Sequence, residues 1–107
     1  MTSQLTTHIL DTTTGLPAAS VVVTLATGAG IELARGATDA DGRLALGAEA
    51  LDAGTYRLRF ETGEYFAGAG REVFYPSVAI EFVVSEARHY HVPLLLSPFG
   101  YSTYRGS

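Results

Sequence analysis

The 107-residue chain is 47% hydrophobic and 17% charged, too apolar for a disordered polymer and long enough to bury a single core, so one domain spanning 1–107 is expected. Seven Arg, no Lys and eleven acidic residues leave a net charge of −4, which argues against nucleic acid or an anionic membrane as partner, and the absence of Cys excludes disulfides and cysteine-ligated metals. No run approaches the roughly 18 apolar residues of a membrane-spanning helix, and the first basic residue is Arg35, so no basic signal-peptide region precedes it and a cytoplasmic location is expected.

Short β-rich runs separated by turn residues recur about every ten positions, the spacing of an all-β sandwich. The first run, Gln4 to Leu10, leads into a loop at Asp11 to Pro17, where turn-favouring side chains precede a proline that cannot donate to a ladder. Ser20 to Ala26 is β-branched, Gly28-Ala29-Gly30 turns it, and Ile31 to Thr38 returns as a hairpin partner. Asp41-Gly42 is the strongest turn signal in the chain and is expected to form a tight hairpin, with Arg43 opening a short strand through Leu46. From Thr55 to Glu61 the alternation is strict, with Tyr56, Leu58 and Phe60 on one face and Arg57 and Arg59 on the other. Glu64 to Ala69 has room for one short helix, and Val78 to Val84 resumes the alternation. Tyr90 to Ser97 and Tyr101 to Arg105 close the chain around a bend at Pro98 and Gly100, which makes about eight strands.

A period of two sends Tyr90, Val92, Leu94 and Leu96 to one face and His91, Pro93, Leu95 and Ser97 to the other. In the opening run, Leu5, Thr7 and Ile9 likewise oppose Thr6, His8 and Leu10, so His8 and His91 both point away from the core. An outer face that mixes these histidines with Leu10 and Leu95 points to coverage by another subunit. For His8 and His91 the pattern leaves a functional and a structural role equally open, whereas His89 reads as a hydrogen-bonded surface residue. His89 and His91 stand i, i+2, but no carboxylate or third histidine pairs with them, so no metal site is expected. No glycine-flanked nucleophile serine of the Gly-x-Ser-x-Gly type is present.

Leu5-Thr6-Thr7-His8-Ile9-Leu10-Asp11, followed by Gly15-x-Pro17-Ala18, resembles the opening motif of the transthyretin-like hydroxyisourate hydrolases. The middle carries Thr38-Asp39-Ala40-Asp41-Gly42-Arg43, with Asp39 where many relatives have Asn. The end, His89-Tyr90-His91-Val92-Pro93-Leu94-Leu95-Leu96-Ser97-Pro98 and then Tyr101-Ser102-Thr103-Tyr104-Arg105-Gly106-Ser107, is similar to the family's closing signature almost residue for residue. The two terminal motifs are the specific ones, because the strand and turn patterns between them also occur in prealbumin-like structural modules.

The resemblance implies a transthyretin-like sandwich of two four-stranded sheets, one of them built from the first, the Arg43, the His91 and the C-terminal strands. It further implies a homotetramer with active sites at the dimer–dimer interface, and cofactor-free hydrolysis of 5-hydroxyisourate, an intermediate of urate breakdown. The residues matching the family's catalytic set are His8, Arg43, His91 and Ser107, with Tyr104, Arg105 and Gly106 completing the terminal tetrapeptide that binds substrate. Histidine suits water activation near neutral pH, a role the resemblance assigns jointly to His8 and His91 without choosing the base. Arg43 matches an electrostatic role towards substrate oxygens, and Ser107 can hold the substrate or position a histidine. The alternatives are a small-molecule carrier of the same fold, whose branch lacks His8, Arg43, His91 and the terminal Tyr-Arg-Gly-Ser, and a structural module in which these residues would be freely replaceable.

Overall fold

Strict alternation in the sequence becomes two facing sheets in the computed structural model, which describes residues 5–47 and 51–107; Gln4, where the first strand is expected to begin, lies outside them. The first sheet contains β1 (Leu5–Asp11), β2 (Leu16–Pro17), β5 (Arg43–Leu46), β8 (Tyr90–Ser97) and β9 (Gly100–Thr103). The second runs β4 (Glu32–Ala37), β3 (Val22–Thr27), β6 (Gly54–Phe60), β7 (Val78–Val84). A single helix, α1 (Thr62–Gly68), follows β6. The transthyretin-like sandwich with one short helix is thus the observed architecture.

Two details differ from the sequence expectation. The stretch read as a loop contains β2, whose Leu16 and Pro17 pair with Asp11 and Leu10, so the first sheet has five strands rather than four. Pro17 is tolerated because this is a sheet edge, where no donor is required of it. The Asp41-Gly42 turn does not close a hairpin either, because β4 and β5 belong to different sheets and the turn is a corner between them. Gly42 has φ +74°, and a Cβ there would lie 2.6 Å from the Ile9 carbonyl oxygen, so the corner admits only glycine.

The core lies between the sheets. Leu5 and Ile9 of β1 and Leu94 and Leu96 of β8 face Val23, Leu25, Leu58 and Phe60, all essentially inaccessible, while Phe66 of α1 closes one end. β1 and β8 are parallel, paired along seven residues from Leu5↔Tyr90 to Asp11↔Leu96. The first and last long strands therefore lie side by side in the middle of the sheet, with β5 and β2 sharing the other edge of β1.

At the end of β1 the Asp11 carboxylate is fully buried and paired with Arg71, while accepting hydrogen bonds from the Tyr65 hydroxyl (2.7 Å) and the Thr13 amide (3.0 Å). Burial pushes the Asp11 pKa up, but the bonds from Arg71 and Tyr65 and the Arg71 charge outweigh it and hold the group below the ordinary carboxylate value. Tyr65, buried and bonded to Asp11, is pushed up to about 12. Arg71→Leu strands the carboxylate, and the expected loss sits at the lower end of the roughly 3–5 kcal/mol typical of a broken buried pair, since Arg71 retains some solvent contact. Because the folded pKa is depressed, this contribution is full above the unfolded value of about 4 and fades as pH falls through the folded one. Urea midpoints at equal protein concentration should therefore differ strongly between wild type and variant at pH 7 and converge towards pH 3.

Candidate active site

The registers of β1 with its two neighbours set the outer face of the first sheet. Thr6 lies opposite Ala45 on one side and His91 on the other, and His8 lies between Arg43 and Pro93. Since alternate residues share a face, Ala45, Thr6 and His91 form one row and Arg43, His8 and Pro93 the next. A depression of about 480 Å³ opens over these rows, lined among others by Thr6, Asp39, Arg43, His89, His91 and Ser107.

Arg43 owes its place to the corner that precedes it. The Asp39 carboxylate accepts hydrogen bonds from the backbone amides of Asp41 (2.9 Å) and Arg43 (3.0 Å), while the Gly42 amide donates to the Asp39 carbonyl (2.9 Å). An Asn side chain offers the same acceptor oxygen, which explains how Asp or Asn can serve there.

His91 is half-buried and held on two sides. Its Nδ1 lies 2.9 Å from the Thr6 hydroxyl oxygen, which is also 2.8 Å from His89 Nε2, and the two imidazoles stack with centroids 6.3 Å apart. On the other side the chain beyond β9 returns in register: the ladder that pairs Leu94 with Thr103 resumes at His91 and Gly106, where the Gly106 amide donates to the His91 carbonyl (2.9 Å). Opposite the gap stands Pro93, which has no N–H to offer, and β9 accordingly ends at Thr103 rather than at Arg105 as expected from the sequence. A Cβ on Gly106 would lie 2.5 Å from His91 Cδ2, so this position must be glycine for the ring to lie where it does.

Burial lowers the pKa of His91 first, and the charges of His89, Arg43 and His8 lower it further, against a hydrogen bond to the Thr6 backbone. The ring is therefore neutral at neutral pH, with Nε2 left as the nitrogen not engaged by Thr6.

Of the residues singled out from the sequence, Arg43, His91 and Ser107 line the one depression. His8 does not line it but lies beside Arg43 in the adjoining row. Tyr104 and Arg105 line a second cavity of about 320 Å³ instead, together with Phe82, Arg88 and Tyr90. His91 borders both cavities, and Gly106 stands between them as backbone. Thr6 carries no functional signal of its own in the sequence, but it shares the outward parity of His8 on β1 and pairs with the outward His91. Among the described residues no cluster of three or more His, Asp or Glu has the arrangement to hold a metal.

Comparison with known proteins places these features in context. The profile of the HIUase/Transthyretin family matches residues 5–106. The 5-hydroxyisourate hydrolase of Mesorhizobium japonicum is 50% identical, over 97% of this chain and 92% of its own. Among solved structures, the 5-hydroxyisourate hydrolase of Klebsiella pneumoniae superimposes with a TM-score of 0.90 at 49% identity, covering 98% of this chain and 94% of that one. Sea bream transthyretin in complex with thyroxine superimposes at 0.87 with 34% identity, covering 96% and 94%.

Proposed function

The chain belongs to the HIUase/Transthyretin family, and on that premise we propose that it hydrolyses 5-hydroxyisourate to 2-oxo-4-hydroxy-4-carboxy-5-ureidoimidazoline in urate breakdown, without a cofactor. The observation that carries this reading is the meeting of Arg43, a neutral half-buried His91 and Ser107 in one depression, with His8 alongside. A carrier has no use for a neutral base beside a fixed cation, whereas hydrolysis of a cyclic amide needs both.

In this mechanism a water molecule attacks a ring carbonyl. His91 Nε2 takes the water proton, and His8, in the neighbouring row, helps orient the water. The planar Arg43 guanidinium bonds the carbonyl oxygen as negative charge develops on it. Collapse of the tetrahedral species breaks the ring C–N bond, and the departing nitrogen receives a proton from His91. The Ser107 hydroxyl holds the substrate at the rim, and the Gly106 backbone keeps the His91 ring upright. Tyr104 and Arg105, facing the second cavity, contribute to substrate binding through the terminal segment they hold in place.

The outer face also carries Leu10 and Leu95, each half-buried, which supports a homotetramer whose dimers meet over this face and close the site against water. The test of function is direct: 5-hydroxyisourate generated from urate by an oxidase is followed by its ultraviolet absorbance, and decay no faster than the spontaneous rate would refute the enzyme reading. Light scattering at micromolar concentration should give a tetramer mass, and a monomer would remove the proposed interface.

A further inference from the structure

We propose that Thr6 is a positioning residue for His91: its hydroxyl bonds Nδ1 and so fixes which of Nε2 and Cε1 occupies the base position of the proposed mechanism. The inference deepens the hydrolase reading and rests on it for its kinetic consequence, but not for its structural one.

An imidazole carried on an open sheet face is close to two-fold degenerate about its Cβ–Cγ bond, because a half-turn leaves its shape almost unchanged. Its chemistry does change. The half-turn exchanges Nδ1 with Cδ2 and Nε2 with Cε1, and it puts a C–H group where a proton would be taken from water. Whatever selects one orientation must therefore tell nitrogen from carbon, which shape alone does poorly.

The two flanks of His91 differ in that respect. On one side the ring lies against Gly106, where a Cβ would stand 2.5 Å from Cδ2 and 3.2 Å from Cγ. Gly106 limits the tilt of the ring but has no side chain to bond a nitrogen, so it does not choose between the two orientations. On the other side the Thr6 hydroxyl oxygen lies 2.9 Å from Nδ1, a hydrogen bond that a C–H group cannot replace. The parallel register sets Thr6 directly opposite His91 on the outward face. The same oxygen lies 2.8 Å from His89 Nε2, and threonine is stiff at χ1, so the hydroxyl is itself held from a second side.

A threonine hydroxyl has one proton and two lone pairs, so it can donate to one ring and accept from the other, or accept from both. The Nδ1 edge of His91 is anchored in each case. The orientation of the ring is therefore independent of the proton arrangement on His89, and what position 6 must supply is a hydroxyl.

Two measurements test this. Thr6→Val removes the hydroxyl and keeps the branched shape at an outward, half-buried position, so the wild-type elution volume should be kept. Its kcat is expected to fall by about 10- to 100-fold, the scale of loss for a misplaced reacting group, with KM within about twofold. Thr6→Ser returns the hydroxyl and should recover most of the rate; if the valine variant does not fold, Thr6→Ala against Thr6→Ser gives the same contrast. In proton spectra, the wild type should show a nuclear Overhauser contact between His91 Hδ2 and Gly106 Hα. In Thr6→Val that contact should weaken while one from Hδ2 to the side chain at position 6 appears. A hydroxyl-free variant with unchanged kcat overturns the inference, as does a serine variant no faster than valine or a ring contact that ignores the substitution. Wild-type protein with no hydrolytic activity would instead sink the proposed function, and the ring contacts would still decide the orientation.

Discussion

Replacing His91 with alanine is expected to lower kcat/KM for 5-hydroxyisourate by about 100- to 10,000-fold, the range associated with loss of a positioned general base. The effect should fall on kcat, because in the proposed mechanism the imidazole acts on the water rather than on the substrate. His91 is half-buried, packed by Gly106 and bonded to Thr6, so truncation leaves a shallow gap at the surface rather than a core cavity. Sizing chromatography should consequently give the wild-type elution volume. The wild-type pH profile carries the same assignment. A base must be deprotonated to act, so activity is lost as pH falls through its pKa, and the lowered pKa of His91 places that limb below the ordinary histidine value of about 6.5. An acid limb above 6.5, or an alanine variant of near wild-type rate, would remove His91 as the base.

Arg43→Met is expected to cost about 100- to 1,000-fold in kcat, the loss seen when one donor to a developing oxyanion is removed. Methionine keeps much of the length and apolar stem of the side chain but none of its charge. The preceding corner is fixed by Asp39 and Gly42 through backbone groups, so the strand should keep its register and the variant should fold. Lysine at this position restores a charge without the planar pair of donors, and only a minor part of the rate should return. A rise in KM at constant kcat for Arg43→Met would instead make Arg43 a ground-state binding residue, and the transition-state role would fail.

Much of this was legible because alternation is a local signal. The outward parity of His8 and His91 and the inward parity of Tyr56, Leu58 and Phe60 all follow from counting by two, and the burial pattern agrees. The family motifs then marked Arg43 and Ser107, which line the depression with His91. What escaped depends on tertiary contact. Leu16 and Pro17 are too few to show a period and pair only because β1 passes beside them. The corner at Gly42 looks like a hairpin from its residues alone, since the choice of sheet for β5 is made by its ladder to β1. The helix starts at Thr62 rather than Glu64 because Gly63 packs against Pro76 and its amide bonds the Pro76 carbonyl. Tyr104 and Arg105 turn to the second cavity because Pro93 interrupts the pairing that would have kept their segment flat on the sheet.

The parallel pairing of β1 with β8 joins residues 85 apart in the chain, as Thr6 and His91 are, and the two histidines of the proposed mechanism, His8 and His91, both lie on that ladder. Contacts of such long range close late, after shorter loops have absorbed the cheaper part of the entropy cost. Upon refolding from urea, the β3–β4 and β6–β7 hairpins can form from their own neighbourhoods, while catalytic competence must await the meeting of both chain ends. Recovery of turnover is therefore expected to lag the return of strand signal in a refolding time course, because it reports the meeting of β1 with β8.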